Sequence, residues 1–460
     1  MIGSQATEIE KTAVQTPLID SHEIELVVDE DPSWLAELRG RAWSRLKSLG
    51  RPGNKEERFR YTDLDLLEVG GIEQHRLSEN DRHQRVARSI ARLTQAIPPG
   101  GLGASIQLDG RLVTSTLSAK ALEKNVLLMD LHSAAREFRQ IIEPYLAQLI
   151  PGDDYLTARS LAYFTGGLFL YVPPETKLEA PINLLNGLSG PGASAFWRNL
   201  VVIDRGAEVM INNIHHSEDF DSPALSNPVT EIYVGDGAKL SWLDWQDLGG
   251  GARHIGHVRA KTGADTHLTS LFVTLGGDFS RTTMESVLDG PGAESLMLGL
   301  YLPGEKQQFE HWTQQDHRAP NTKSDLLYKG ALTGEAKSLY YGTIKVAQNA
   351  PRTNAYQADK NLLLSENAKA DSNPQLEIEN NDVRCTHGAT VGRLNEEHLF
   401  YLMSRGLPRP EAEKLVVRGF FQDVLQRADF GEVSDLIIDE IDKKLAGNLP
   451  ADRYDGEKNG

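Results

Sequence analysis

The chain has 460 residues, 40% of them hydrophobic and 25% charged, enough for a large packed core and unlike a disordered polypeptide. Its 48 Lys and Arg against 65 Asp and Glu give a net charge of −17, the wrong sign for a nucleic-acid footprint. A single cysteine, Cys385, excludes an intramolecular disulfide and any multi-cysteine zinc or iron–sulfur site made by one chain. The first 20 residues lack a basic stretch followed by an apolar one, and no apolar run reaches about 18 residues, so neither a secretory signal nor a spanning helix is expected and the reading is cytoplasmic.

In chain order, residues 1–20 read as a flexible start and 21–150 as mainly helical. Trp34, Leu35, Leu38, Ala42, Trp43 and Leu46 fall at helical spacing, with Gly50 and Pro52 as the stop. A second helix is expected over His83–Ile97 and a third over about 128–149. Between them, SIQLDGRLVTS reads as a hairpin turning at Asp109-Gly110.

Residues 151–390 change period. Short alternating apolar runs such as GLFLYV, EVMI and HLTSLFV are bounded by Gly, Asp and Asn, the pattern of an all-β body. Corners of the form Gly or Asn, then Ala, then a charged or polar residue recur at Ala207, Ala238, Ala264, Ala293, Ala336 and Ala368. Each alanine is expected to point inward where neighbouring coils approach, which favours a parallel β-helix over a barrel, sandwich or propeller. The widest gap, 293 to 336, is read as an excursion carrying EKQQFEHWTQQDHRAPNTKSD. Residues 391–446 turn helical again: Asn395 caps a first helix, Pro410 opens a second, and a third spans about 432–445. Residues 447–460 read as a flexible tail.

Several side chains carry chemistry. Cys385 and His387 stand at i and i+2, so on a strand they face one side, a thiol and an imidazole within reach of one metal or sulfur atom. The same pair would equally serve as a buried thiol and a hydrogen-bonded core histidine. His215-His216 would point to opposite faces. His254 and His257 are assigned to a Gly-rich loop, Glu310-His311 and Asp316-His317 to the excursion. Trp242 and Trp245 read as core or rim aromatics, with a sugar platform as the alternative. No phosphate-cradling GxxxxGK[ST] and no GxSxG elbow occurs.

The string DSNPQLEIENNDVRCTHGATVGRLNEEHLFYLMSRGLPRPEAEKLVVRGFF, 371–421, strongly resembles the C-terminal part of the SufB/SufD family of iron–sulfur cluster assembly scaffolds. The stretches 324–371 and RFRYTDLDLL, 58–67, are also similar to it. The resemblance implies a right-handed parallel β-helix between helical ends. Cys-x-His followed by HGATVG resembles the SufD branch, since SufB-like members carry a Glu-His-Glu-Ala string there. That likeness implies a non-catalytic scaffold that pairs with a SufB-like subunit, or with a second copy of itself when alone, and binds a SufC-like ATPase through its C-terminal helices. The aromatic and basic residues Phe400, Tyr401, Arg405, Phe420 and Phe421 are the candidates for that ATPase contact. His387, with Cys385 beside it, matches the residue implicated in cluster assembly and would hold a transient cluster with ligands from the partner. No permanent cofactor, no nucleic acid and no membrane contact is expected. Two rivals stay open on the sequence, a SufB-like cluster-building subunit and a polysaccharide-active enzyme on a β-helix. The role of the acidic N-terminal extension is open.

Overall fold

The computed structural model describes residues 31–53, 55–67 and 79–448. The body is a parallel β-solenoid of about eight coils, flattened so that each coil gives one strand to a ten-stranded sheet and one to a nine-stranded sheet. Register partners on successive coils lie from 26 residues apart (Arg253↔Phe279) to 32 (Lys337↔Lys369). Leu184, Trp242, Phe272, Met297, Phe309 and Tyr340, drawn from both sheets, meet in the interior. Most strands are covered on both faces, so polar residues such as Asn212, Glu285 and Gln315 are buried beside apolar ones.

One corner of the coil is built by a recurring pair of residues. A residue in the left-handed region is followed by a small side chain buried between the sheets: Gly206-Ala207, Gly237-Ala238, Asp265-Thr266, Gly292-Ala293, Asn321-Thr322 and Arg352-Thr353. Glycine adopts that backbone freely, while the Asp, Asn and Arg positions carry a modest steric penalty. Ala207, Ala238 and Ala293 stand in this column as expected. Ala264 does not. His267 pairs with Lys239, which puts Thr266 beside Ala238 and leaves Ala264 half-buried in the turn. Ala336 and Ala368 are buried too, but at a corner of the other sheet, where Lys337 pairs with Lys369. The expected excursion is absent from this stretch: 308–317 is a regular strand, Gln308–His317, in register with both neighbours. The wide gap arises because the two alanines belong to different corners.

Helices cover the outer faces. The first helix, Ser33–Leu49, buries Trp34, Leu35 and Ala42 over the nine-stranded sheet, against a cluster that includes Phe196 and Leu200. The second, Glu79–Gln95, sets Val86, Ile90 and Leu93 on Ile106, Leu108 and Leu185. Strands Gly103–Leu108 and Arg111–Leu117 form the expected hairpin, with Asp109 and Gly110 both at positive φ as a two-residue turn demands. The hairpin closes one end of the ten-stranded sheet.

The third expected helix is broken. Leu127–Asp130 is a strand antiparallel to Leu168–Val172, and only the short helices Leu131–Glu137 and Arg139–Ile142 come after it. Asp130 caps the first by accepting from the Ser133 N–H at 2.8 Å. Further on, the buried Glu231 carboxylate accepts from the backbone N–H groups of Ala147, Leu149 and Ile150, holding this loop in a non-helical path. A helix unforeseen in the sequence, Tyr155–Tyr163, starts at a capping box of Asp154 and Thr157.

The C-terminal helices Glu396–Ser404, Arg409–Ala428 and Glu432–Asn448 agree with expectation. The last two bury Val417, Phe421, Val424, Ile437 and Ile441 against Leu271, Leu298 and Leu327 on the outer face of the ten-stranded sheet. Among the described residues no helix is long and apolar enough to cross a membrane.

Candidate site at the open end of the solenoid

The last coil consists of Lys369–Ile378 and Val383–Arg393, the terminal strands of the nine- and ten-stranded sheets at this end. No residue of either strand is buried, whereas the coil beneath is largely buried. Among the described residues nothing stacks on them. Inward-pointing side chains that would be core elsewhere therefore face outward from a mouth, and Leu376, Ile378 and Val391 are exposed. Two unpaired strand edges and a rim of apolar residues form a surface that another polypeptide can extend.

Cys385 and His387 lie on this mouth. Register places Cys385 over Ala355 and His387 over Gln357, both of which are buried inside the preceding coil. The two side chains share the inward face, as the i, i+2 spacing predicts. Cys385 is half-buried against Ile344, Val346, Ala350 and Ala355. Burial pushes its thiol up from the ordinary value, only partly offset by a backbone hydrogen bond from Ala355. A resting thiol of this kind is protonated at neutral pH and loses its proton when a metal takes it. His387 is exposed, with no hydrogen-bond partner among the described residues, and is not a core histidine. No group of three or more His, Cys, Asp and Glu among the described residues is arranged to hold a metal ion.

Directly beneath the mouth lies a polar cluster with no sequence forewarning. Asp359 is fully buried under Ala389, with Asn361 and Tyr301 beside it. Tyr301 donates to Asn361 Oδ1 (2.7 Å) or Asp359 Oδ1 (3.1 Å), and Asn361 Nδ2 donates to Asp359 Oδ2 at 2.8 Å. Burial raises the Asp359 carboxyl to about 7. In sequence, QADKN looks like a solvated segment. Only the knowledge that Gln357, Asp359 and Asn361 face inward reveals it.

The other histidines lie deeper in the body. His215 and His216 face opposite sides, as expected. His254 and His257 are not in a loop; both sit in the strand Ala252–Thr262 and are buried on opposite faces. His254 packs edge-on against His215, with centroids 4.9 Å apart, and burial lowers it to about 3. His311 and His317 are likewise strand residues buried in the interior, not parts of a wet loop. Trp242 and Trp245 are buried, so no sugar platform exists there.

Of the five residues expected at an ATPase contact, the helix Glu396–Ser404 presents Phe400 at 74% and Tyr401 at 58% exposure, with the Arg405 guanidinium 5.3 Å from the Tyr401 ring. Phe420 is half-buried. Phe421 is not available in this conformation: it is buried in the seam between the helix Arg409–Ala428 and the solenoid. Lys329 ties that helix down, donating to the Phe420 carbonyl at 2.8 Å and pairing with Asp423 at 2.9 Å.

A family model described as the SufBD core domain of the SUF system for FeS cluster assembly matches residues 186–420, and one for the SufBD N-terminal region matches 18–184. The chain is similar to an iron–sulfur cluster assembly SufBD family protein of Mycobacterium tuberculosis, 31% identical over 303 residues that cover 64% of this chain and 74% of that protein. It is similar to the iron–sulfur cluster assembly protein SufD of Bacillus subtilis, 27% identical over 425 residues, 90% of this chain and 95% of that one. A SufBD family protein of Staphylococcus haemolyticus is 25% identical over 400 residues, 85% of each chain.

Proposed function

This chain belongs to the SufB/SufD family of iron–sulfur cluster assembly proteins, and we propose that it serves there as the SufD-like scaffold subunit, doing no bond-breaking chemistry of its own. The observation that carries this reading is the unstacked last coil, where Cys385 and His387 stand on a mouth rimmed by exposed Leu376, Ile378 and Val391. A SufB-like partner would lay its own edge strands against Lys369–Ile378 and Val383–Arg393, extending one or both sheets and covering the apolar rim. That contact would bring the ligands that one chain lacks. Iron and sulfide are the cargo: His387 would ligate iron or carry a proton, and Cys385 would act as a secondary ligand once its thiol is deprotonated. With no partner present, a second copy of this chain could occupy the same edges.

A SufC-like ATPase would dock on the exposed face made by Phe400, Tyr401 and Arg405, with Phe420 at its margin. Phe421 and Lys329 would then work one layer below, coupling the docked helices to the solenoid. The setting is the cytoplasm, with no nucleic acid and no membrane involved.

The test is purification of the tagged chain from its native cells with its retained partners, then comparison of bound iron and sulfide in parent, His387→Ala and Cys385→Ser complexes. His387→Ala is expected to keep complex formation and lose most cluster, and Cys385→Ser to lose less. His387 is exposed, so its removal leaves folding intact, and a normal cluster yield from His387→Ala refutes the assignment.

A further inference from the structure

A cavity of about 220 Å³ lies on the outer face of the nine-stranded sheet, roofed by Glu57–Phe59 and by the start of the helix Tyr155–Tyr163. It is separate from the mouth that holds Cys385 and His387, which belong to the other sheet. Its floor runs along the ladder, Thr283 beside Trp312 beside Tyr341, and Glu285 beside Gln314, Thr343 and Gln375.

Most of the charges around it are already matched. Arg281 pairs with Glu310 at 3.0 Å, Arg58 with Asp154 at 3.2 Å, and Glu285 is held by Arg259 and by His257 at 3.4 Å. Two carboxylates remain. Among the described residues Glu57 accepts only from neutral donors, the Tyr341 hydroxyl at 2.9 Å and the Gln375 amide at 3.4 Å. Glu377, on the outward face of the last coil, has no ion-pair partner among the described residues. Deeper in, several polar atoms of buried side chains lack a hydrogen-bond partner, among them the donors Trp312 Nε1 and Arg281 Nε and the acceptor Asn227 Oδ1. The Arg281 guanidinium lies 4.5 Å from the Trp312 ring, so the two donors are neighbours. Buried polar groups are ordinarily satisfied, and unsatisfied ones on a cavity wall mark what its contents must supply.

We propose that this cavity binds a small zwitterion with the chemistry of a basic amino acid. Carboxylate oxygens accept from Trp312 Nε1 and Arg281 Nε, and the guanidinium or ammonium end pairs with Glu57 and Glu377 at the opening. The volume suits such a molecule, since drug-sized ligands need roughly 300–1,000 Å³. The acidic opening disfavours a phosphate-bearing ligand.

Calorimetric titration of the full chain with three probes decides the matter. L-Arginine carries both ends, L-citrulline keeps the shape without the charge, and agmatine keeps the charge without the carboxylate. Arginine is expected to bind saturably, with the other two at least about tenfold weaker. Glu57→Gln, an exposed position that folding does not depend on, should erase the preference for arginine over citrulline, and Trp312→Phe should narrow that over agmatine. No saturable binding of arginine at about 10 mM, where a site of this kind would be occupied, overturns the proposal and leaves a water-filled space. Equal binding of all three probes to the parent overturns it as well.

Discussion

Asp359 makes the stability of this protein depend on pH in a direction opposite to that of most carboxylates. Tyr301 has one hydroxyl proton and two acceptors within reach, Asn361 Oδ1 and Asp359 Oδ1. If that proton goes to Asn361, only a protonated Asp359 can supply the second one, and the three groups then close a satisfied ring. Burial is the main cause of the rise from 3.8 to about 7. The folded state therefore keeps a proton that the unfolded chain releases, and stability falls as pH climbs between about 4 and 7. The rise is about three tenfold changes in proton affinity at about 1.36 kcal/mol each, so about 4 kcal/mol is lost in full above pH 7. Asp359→Asn is the matching perturbation. Its amide N–H replaces the acid proton, its carbonyl still accepts from Asn361, and it never ionises. Urea unfolding of parent and variant at pH 5 and pH 8 should show the variant gaining about 2–3 kcal/mol on the parent over that interval. Other groups that titrate in the same range, such as Lys444, which burial lowers to about 7, are common to both proteins and cancel in the difference. A difference between the two proteins that stays constant with pH would refute the reasoning.

Two further perturbations test the packing. Ala238→Leu forces a larger side chain into the closed corner column and should cost about 1–3 kcal/mol, whereas Ala264→Leu, in the half-buried turn, should stay within about 0.5 kcal/mol; equal thermal shifts would show that the column is wrongly assigned. Phe421→Ala should cost about 3–5 kcal/mol by loosening the helix from the sheet. Phe400→Ala should leave the melting temperature nearly unchanged while weakening capture of an ATPase in a pull-down, and the reverse pattern would exchange their roles.

The solenoid is legible in the sequence because its corners repeat, but the register is not. Alanine and threonine are interchangeable at the inward position, and Asp265, Asn321 and Arg352 stand where glycine is expected. A Gly-Ala pattern therefore slips by two residues at Ala264 and crosses to the other sheet at Ala336 and Ala368. Helix periodicity locates the terminal helices well, because an apolar stripe on one face is a local property. It does not distinguish Phe421 from Phe400, since both look like spare aromatics until the sheet beneath is in place. The shared face of Cys385 and His387 comes from strand period alone. The exposure of His387 does not, because the last strand reads like any other, and what uncovers it is that no coil stacks beyond among the described residues.

The solenoid is also directional. One end finishes in strands that run antiparallel to their neighbours, Arg111–Leu117 and Leu127–Asp130, while the other, among the described residues, ends in two parallel strands with free edges. A rod with both ends open could add subunits head to tail without limit, as fibres do. A rod with one live end has a valence of one. A relative or a twin that joined it there would cover both parallel edges, and the mouth with Cys385 and His387 would become an enclosed seam at the centre of the pair.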